Sequence, residues 1–343
     1  MPLHTERDFF IQWHLTERCN LRCRHCYQTG RRQDELATAE ALAFIDEAAE
    51  TVAAWSGLYG LQFASSFSIT GGEPLLRPDL FELLAAMRAR GFGVNLLSNG
   101  TLIDRGKAER LRELGVGAVQ VSLEGPPAVN DAVRGAGSFE AAVRGVKHLA
   151  AAGLAVTLNM TLSRLNAGAF EEMPGLAASL GARRLGFARL VPAGRGRGLL
   201  GDALTPGELE RLYRRIAALP EQGVELVCGD PLFARFREET TAEDQGDIPV
   251  AGCAAGLSGF TVVPNGTVMP CRRLPIPIGS IKEDSIRELW ASAPLLERLR
   301  DRGRYQGACG DCPRWALCRG CRAVAYAFAG DPLAADPQCF LAG

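Results

Sequence analysis

Cys19, Cys23 and Cys26 stand in a C-x3-C-x2-C arrangement near the start of the chain. Three thiolates on one short loop grip one face of a metal cluster and leave one metal without a protein ligand. That suits an iron–sulfur cluster that binds substrate at its fourth iron. A structural zinc site wants four closed ligands, and His25 inside the run is available as the fourth. A second set comprises Cys253, Cys271, Cys309-x2-Cys312-x5-Cys318-x2-Cys321 and Cys339. Its two C-x2-C pairs suit a zinc ribbon and an iron–sulfur centre equally. Cys228 is the eleventh cysteine. An odd count excludes a fully disulfide-paired scaffold, which a chain of this size does not need.

Other residues offer ligand chemistry. In Gly71-Gly72-Glu73-Pro74 the glycines let backbone approach a ligand and the proline stiffens the turn, while Glu73 taken alone caps the next helix. Ser98-Asn99-Gly100 and Ser122-Leu123-Glu124 end two predicted strands, where parallel sheets place their ligand groups. Ser-Asn-Gly is equally an ordinary turn. Glu124 and Asp230 are candidate acid/base residues, and no pair of carboxylates stands out as a dyad.

These residues need a scaffold, and the patterning supplies one. Short apolar runs at 9–15, 67–69, 93–97, 118–123, 155–162 and 184–190 read as strands. Helical periodicity fills 38–55, 78–90, 104–114, 138–152 and 167–180, with Asp104 and Ser138 as start signals. Gly91, Gly115, Gly153 and Gly181 follow four of these helices, where a left-handed residue is wanted. Six strand–helix repeats read as a parallel α/β sheet or barrel. Gly194-Arg195-Gly196-Arg197-Gly198 lacks a Walker lysine and opens no helix, so it reads as an irregular connection. A helix at 205–219 and a short strand at 224–227 follow. Beyond Cys253 the chain is short-ranged and Gly/Pro-rich, with Pro264-Asn265-Gly266-Thr267 a hairpin signal between 261–263 and 268–269.

Composition narrows the class. The 343 residues are 47% hydrophobic and 22% charged, and 38 Lys plus Arg balance 39 Asp plus Glu. That excludes disorder as the main theme and gives no basic excess for nucleic acid. Charges at Glu6, Arg7 and Asp8 interrupt the N-terminus, so no signal peptide is read, and no stretch approaches a membrane span. The expected compartment is the cytoplasm, where clustered thiols stay reduced and bind metal.

The run Cys19-Asn-Leu-Arg-Cys23-Arg-His-Cys26-Tyr27, followed by Gly71-Gly72-Glu73-Pro74, resembles the radical S-adenosylmethionine (SAM) superfamily along nearly the whole chain. The resemblance implies a partial (β/α)6 barrel whose [4Fe–4S] cluster is held by Cys19, Cys23 and Cys26, with SAM chelating the open iron. Reduction then cleaves SAM to methionine and a 5′-deoxyadenosyl radical that abstracts hydrogen from substrate. By the same resemblance Tyr27 lies beside adenine, Gly71–Pro74 receives the methionyl ammonium and Arg134 pairs the SAM carboxylate. Ser98, Asn99, Ser122, Glu124 and Leu190 complete the expected SAM pocket.

The later cysteines resemble the SPASM domain, which carries auxiliary iron–sulfur clusters. Its usual ending, C-x2-C-x5-C-x3-C, is one residue longer than here, and the shortened form looks like the branch that includes haem-side-chain-modifying enzymes and some peptide maturases. Interleaved ligation would give one auxiliary cluster Cys253, Cys271 and Cys321, and a second Cys309, Cys312, Cys318 and Cys339. Cys228 is left as a buried thiol or as the fourth ligand of the first. Domains are expected at 1–200 (barrel), 201–250 (connector) and 251–343 (SPASM).

What the resemblance implies for function is maturation of a ribosomally made peptide through a thioether or carbon–carbon crosslink, fed by a flavodoxin- or ferredoxin-type electron donor. About ten residues precede the first strand, so leader recognition falls to the barrel surface or to a separate leader-binding protein. The alternatives are modification of a haem-precursor side chain and, from another class, a zinc-stabilised non-catalytic binding module.

Overall fold

The computed structural model describes residues 6–30, 34–236, 249 and 251–341; the rest of the expected connector lies outside the described residues. The strands are β1 (Glu6–His14), β2 (Gln62–Thr70), β3 (Gly93–Ser98), β4 (Ala118–Ser122), β5 (Ala155–Leu162), β6 (Arg184–Arg189), β7 (Glu225–Cys228), β8 (Gly259–Val262), β9 (Thr267–Met269) and β10 (Gly279–Ser280). They form one sheet in the order β10-β9-β8-β1-β2-β3-β4-β5-β6-β7. Pairing is parallel from β8 through β1 to β7, and β9 and β10 add antiparallel. The six expected strands are thus consecutive in space. The hairpin signalled by Asn265-Gly266, with Gly266 at φ 92°, does not stand apart among the later cysteines but extends the barrel sheet along β1.

Helices α1 (Thr38–Tyr59), α2 (Leu80–Ala89), α3 (Arg105–Glu113), α4 (Pro127–Arg134), α5 (Ser138–Ala151), α6 (Met173–Ser179) and α7 (Pro206–Ala217) accompany the barrel strands. Short helices α8 (Ile286–Ser292), α9 (Pro294–Arg300) and α10 (Arg322–Ala329) belong to the later region. The Asp104 side chain accepts from Lys107 N at 2.8 Å, and Thr205 with Glu208 forms a capping box for α7. The expected helix at 167–180 is split: 167–172 is a 3-10 turn, and α6 starts with Pro174 in its first turn. Helix α4 was not signalled by periodicity, since it follows Gly125-Pro126 and is only two turns long.

Strand residues alternate in a way that defines the interior. Ile11, Trp13, Phe67, Ile69, Val94, Leu96, Val119 and Val121 are buried under the helices, with Trp13 edge-on to Phe44 of α1 at 4.8 Å. The intervening Gln12, Ser68, Asn95, Gln120 and Thr157 point into the lumen. A closed core would carry apolar side chains on both faces; here amides and hydroxyls share the inner face with Phe10, Leu97 and Val227 around an open cavity.

A buried guanidinium joins the later region to the barrel. Arg189, the last residue of β6, pairs with Asp230 at 2.6 Å and grips Asp336 through two bonds of 2.8 and 2.5 Å. It also donates to Gln338 at 3.1 Å, and Gln338 donates to Leu204 O at 2.6 Å. Removing one partner of a buried ion network leaves uncompensated charge. Arg189→Met is expected to cost about 3–5 kcal/mol of unfolding free energy in anaerobic urea titrations. A loss below about 1 kcal/mol, the size of a surface pair, would mean the network does not bear on stability.

Candidate active site

The loop carrying Cys19, Cys23 and Cys26 leaves the C-terminal end of β1 and forms the wall of a cavity of about 160 Å³ at the barrel mouth. Its path is fixed by backbone. Gly72 N donates to Thr16 O at 2.6 Å and Glu73 N to Arg18 O at 2.7 Å. A Cβ on Gly72 would lie 2.1 Å from Arg18 O, so glycine is required for this approach. From the other side, Gly196 N donates to Cys26 O at 2.8 Å and Arg195 N to Gln28 O at 3.1 Å. A Cβ on Gly194 would meet Tyr27 O at 2.1 Å. The Gly/Arg run is therefore the underside of the cysteine loop rather than a phosphate cradle.

Of the residues that the resemblance assigns to SAM, Tyr27, Gly71, Gly72, Ser98, Asn99, Ser122, Arg134 and Leu190 line this cavity. Glu73, Pro74 and Glu124 stand behind the lining. The Glu73 carboxylate accepts from Ser98 Oγ at 2.9 Å, Asn99 N at 2.8 Å and Leu75 N at 3.3 Å. Burial pushes its pKa up to about 7 against those bonds. Glu124 Oε1 accepts both Nε and Nη2 of Arg134, at 3.1 and 3.0 Å, and lies 3.2 Å from His25 Nε2. Burial raises the Glu124 pKa, but His25 and Arg134 outweigh it and hold the group at about 2. This ion cluster ties the cysteine loop to β4 and α4. Burial also pushes the Cys19 and Cys23 thiols up, and Tyr27 to about 12.

Sequence reasoning passed over several lining residues: Gln28, Gln120, Asn159, Arg272 and Arg273. The alternation of polar and apolar residues along β4 and β5 carried a signal for two of them. The pair after Cys271 was visible as two adjacent cations in an apolar, Pro-flanked stretch.

A second cavity, of about 530 Å³, lies deeper in the lumen and shares Leu97, Gln120, Arg272 and Arg273 with the first. Its far wall includes Cys253, Cys271 and Cys321. The other four later cysteines are grouped apart. The Cys339 thiol is raised by burial, with Asp336, Cys309 and Cys312 adding to it. Burial takes Cys318 to about 12, with Asp230, Asp336 and Cys309 also acting on it.

Cys228 ends β7, and its neighbours Val227 and Gly229 line the deeper cavity while Cys228 itself does not. That is the strand alternation again. Its Sγ accepts from Asp230 N at 3.4 Å. Asp230 is not brought to either cavity: its carboxylate is buried and holds Arg189, Tyr213 Oη at 2.8 Å and Leu232 N at 2.9 Å.

None of the eleven cysteines is in a disulfide. Among the described residues no three His, Cys, Asp or Glu side chains close on one metal ion; thiolates of a cluster each take a different iron and need not converge so tightly. Both thiol sets carry the counter-charge that an anionic cluster asks for. Arg195 Nε near the first, and Arg319 Nε, Arg319 Nη2 and Arg322 Nε near the second, are buried donors without a partner. Sγ atoms of Cys19, Cys318 and Cys339 each accept a backbone N–H two residues on, at 3.4 Å, the kind of bond that tunes cluster potentials. The donor set fits iron–sulfur clusters.

Comparison with known proteins agrees with this geometry. Residues 13–174 match the radical SAM superfamily, and residues 253–322 match the iron–sulfur cluster-binding domain SPASM. The chain is 34% identical to the AdoMet-dependent heme synthase of Methanosarcina barkeri, over 98% of this chain and 97% of that one. It is 35% identical to mycofactocin maturase MftC of Mycobacterium ulcerans, over 96% and 87%. Streptococcus suis SuiB bound to its precursor peptide SuiA shares the fold, with a TM-score of 0.75 at 18% identity over 97% of this chain and 76% of that one. No helix among the described residues is long and apolar enough to cross a membrane. An enzyme, and not a zinc-stabilised binding module, is what these relationships describe: the chain belongs to the radical SAM superfamily, with a [4Fe–4S] cluster and SAM as cofactors and a SPASM domain for auxiliary clusters.

Proposed function

We propose that the chain matures a ribosomally synthesised peptide and that the reacting residue of the peptide sits in the lumen between the two thiol sets. The observation that carries this reading is the set of hydrogen-bonding side chains among the apolar ones of the lumen: Gln12, Ser68, Asn95, Gln120 and Thr157 offer amides and hydroxyls to a peptide main chain or side chain. A tetrapyrrole would ask for a broad apolar pocket. The relative named mycofactocin maturase MftC supports the same choice.

In this reading Cys19, Cys23 and Cys26 hold the SAM-binding cluster. Cys253, Cys271 and Cys321 hold one auxiliary cluster, and Cys309, Cys312, Cys318 and Cys339 the other. When bound and reduced, the first cluster with SAM supplies a 5′-deoxyadenosyl radical able to take hydrogen from the substrate. The residues of the chain bind and orient. Gly71 and Gly72 give SAM access to backbone, Ser98, Ser122 and Leu190 shape its pocket, and Tyr27 offers a ring to the adenine. Arg134 is oriented through Glu124, and Asn99 Nδ2 lies 3.8 Å from Cys19 Sγ. Glu73 holds the β3 turn that carries Ser98 and Asn99, and Asp230 anchors Arg189. The barrel (1–200), connector (201–250) and auxiliary region (251–343) divide the work, in a cytoplasmic setting with a flavodoxin- or ferredoxin-type donor and a separate leader-binding protein as partners.

A second reading, modification of a haem-precursor side chain, is favoured by the near-full-length match to the heme synthase and the short Cys318-x2-Cys321 spacing. The two separate in one assay. Reconstituted enzyme with SAM and dithionite is expected to give SAM-dependent mass changes in precursor peptides encoded beside its coding sequence. Turnover of a porphyrin alone would reject the peptide reading.

Cys228 faces away from the deeper cavity, and we assign it a packing role. Cys228→Ala is expected to keep wild-type iron content and cluster EPR signals after reconstitution, whereas Cys253→Ala loses iron. A loss of iron in Cys228→Ala equal to that in Cys253→Ala would make it a ligand.

A further inference from the structure

Two cations in the lumen have no counterpart in the protein. Arg272 and Arg273 form the tip of a tight turn after β9, closed by Leu274 N donating to Cys271 O at 2.9 Å and anchored by the fully buried Leu274. Both guanidiniums line the mouth cavity and the deeper cavity alike. Among the described residues neither has a hydrogen bond or an ion pair, and Arg273 Nε is buried without a partner. Arg272 instead lies over the Tyr27 ring at 5.8 Å.

Three other enclosed arginines each pair with a carboxylate: Arg77 meets Asp79, Leu15 O and Leu36 O; Arg134 meets Glu124; Arg189 meets Asp230 and Asp336. A desolvated guanidinium without a partner is costly, so the pair at the junction is a site waiting for an anion. Arg273 faces Cys253, Cys271 and Cys321, and an auxiliary cluster there would draw on its charge. Arg272, turned to Tyr27 at the SAM side, keeps its planar fork for another group.

We propose that Arg272, backed by Arg273, is the receptor for a carboxylate of the substrate, which it holds at the junction between the SAM cavity and the auxiliary thiols. A guanidinium fork matches a carboxylate bidentately and fixes its orientation as well as its position. Resting on the peptide reading above, the carboxylate belongs to an Asp or Glu side chain or to the peptide C-terminus, and the reacting carbon lies within a few bonds of it.

The test uses anaerobically reconstituted holoenzyme with SAM bound. A fluorescein-labelled peptide encoded beside the coding sequence is titrated by anisotropy in three forms: native, C-terminally amidated, and with Asp and Glu changed to Asn and Gln. Coproporphyrin III and its tetramethyl ester are titrated in parallel by absorbance. One neutralised peptide is expected to bind wild type about 10-fold or more weakly than the native form, the size of a charge-assisted bond. Arg272→Met should weaken the native peptide equally, and the neutralised form no further. Its SAM affinity and cluster EPR signals should hold, and Arg272→Lys should restore part of the binding. Acid-selective binding of the porphyrin alone keeps the receptor and removes the peptide reading. Peptide turnover with no preference for acid over neutral forms keeps the peptide reading and removes the receptor. Absence of acid-selective binding by either probe, or loss of SAM in place of substrate in Arg272→Met, overturns the proposal.

Discussion

The later cysteines have a fixed relation to the barrel because one buried guanidinium holds two carboxylates from different parts of the chain. Arg189 ends β6, Asp230 follows β7, and Asp336 lies in the C-terminal segment. Asp336 in turn accepts from Cys321 N at 2.7 Å, and its own N–H donates to Cys309 Sγ at 3.4 Å. One cysteine from each of the two proposed auxiliary groups therefore bonds to Asp336, Cys321 through its backbone N–H and Cys309 through its thiol, and Arg189 of the barrel positions that residue. Burying these charges is expensive, and close pairing with saturation by Tyr213, Gln338 and backbone donors offsets the cost. The mouth repeats the device on a smaller scale, where Glu124 joins Arg134 to His25 and Arg77 joins Asp79 to the backbone of Leu15 and Leu36.

Those networks explain why both thiol walls face one lumen. The strands turn apolar side chains outward to the helices and mix polar with apolar ones inward around an open cavity. A packed barrel would fill the same space with layers of branched side chains. The inward amides and hydroxyls are also what the proposed peptide substrate would bond to.

Much of the scaffold was legible from local pattern. Strands β3 to β6 and helices α1, α3, α5 and α7 fall within a few residues of their expected positions, because capping residues and left-handed glycines mark their ends. Gly91, Gly115, Gly153 and Gly181 adopt φ of 85°, 69°, 77° and 77°. The thiol motif and Gly71-Gly72 were legible because each needs an unusual residue type at a fixed spacing. What stayed hidden depends on distant pairing. The β8–β9 hairpin joins β1 across some 250 positions of sequence, and nothing local in Gly259–Met269 specifies that edge. Asp230 had the look of a free carboxylate, but its partners come from β6 and α7. Cys228 was ambiguous because a one-residue shift in β7 decides which way the thiol faces.

The central claim is that Cys19, Cys23 and Cys26 hold a cluster at the barrel mouth independently of the auxiliary thiols. Iron and sulfide analysis with EPR on the reconstituted Cys19→Ala/Cys23→Ala/Cys26→Ala protein tests it most directly. The account predicts a loss of about four irons per chain and loss of the EPR change that SAM produces in the wild type, with the auxiliary signals retained. Full iron content, or a triple variant that still responds to SAM, would contradict it.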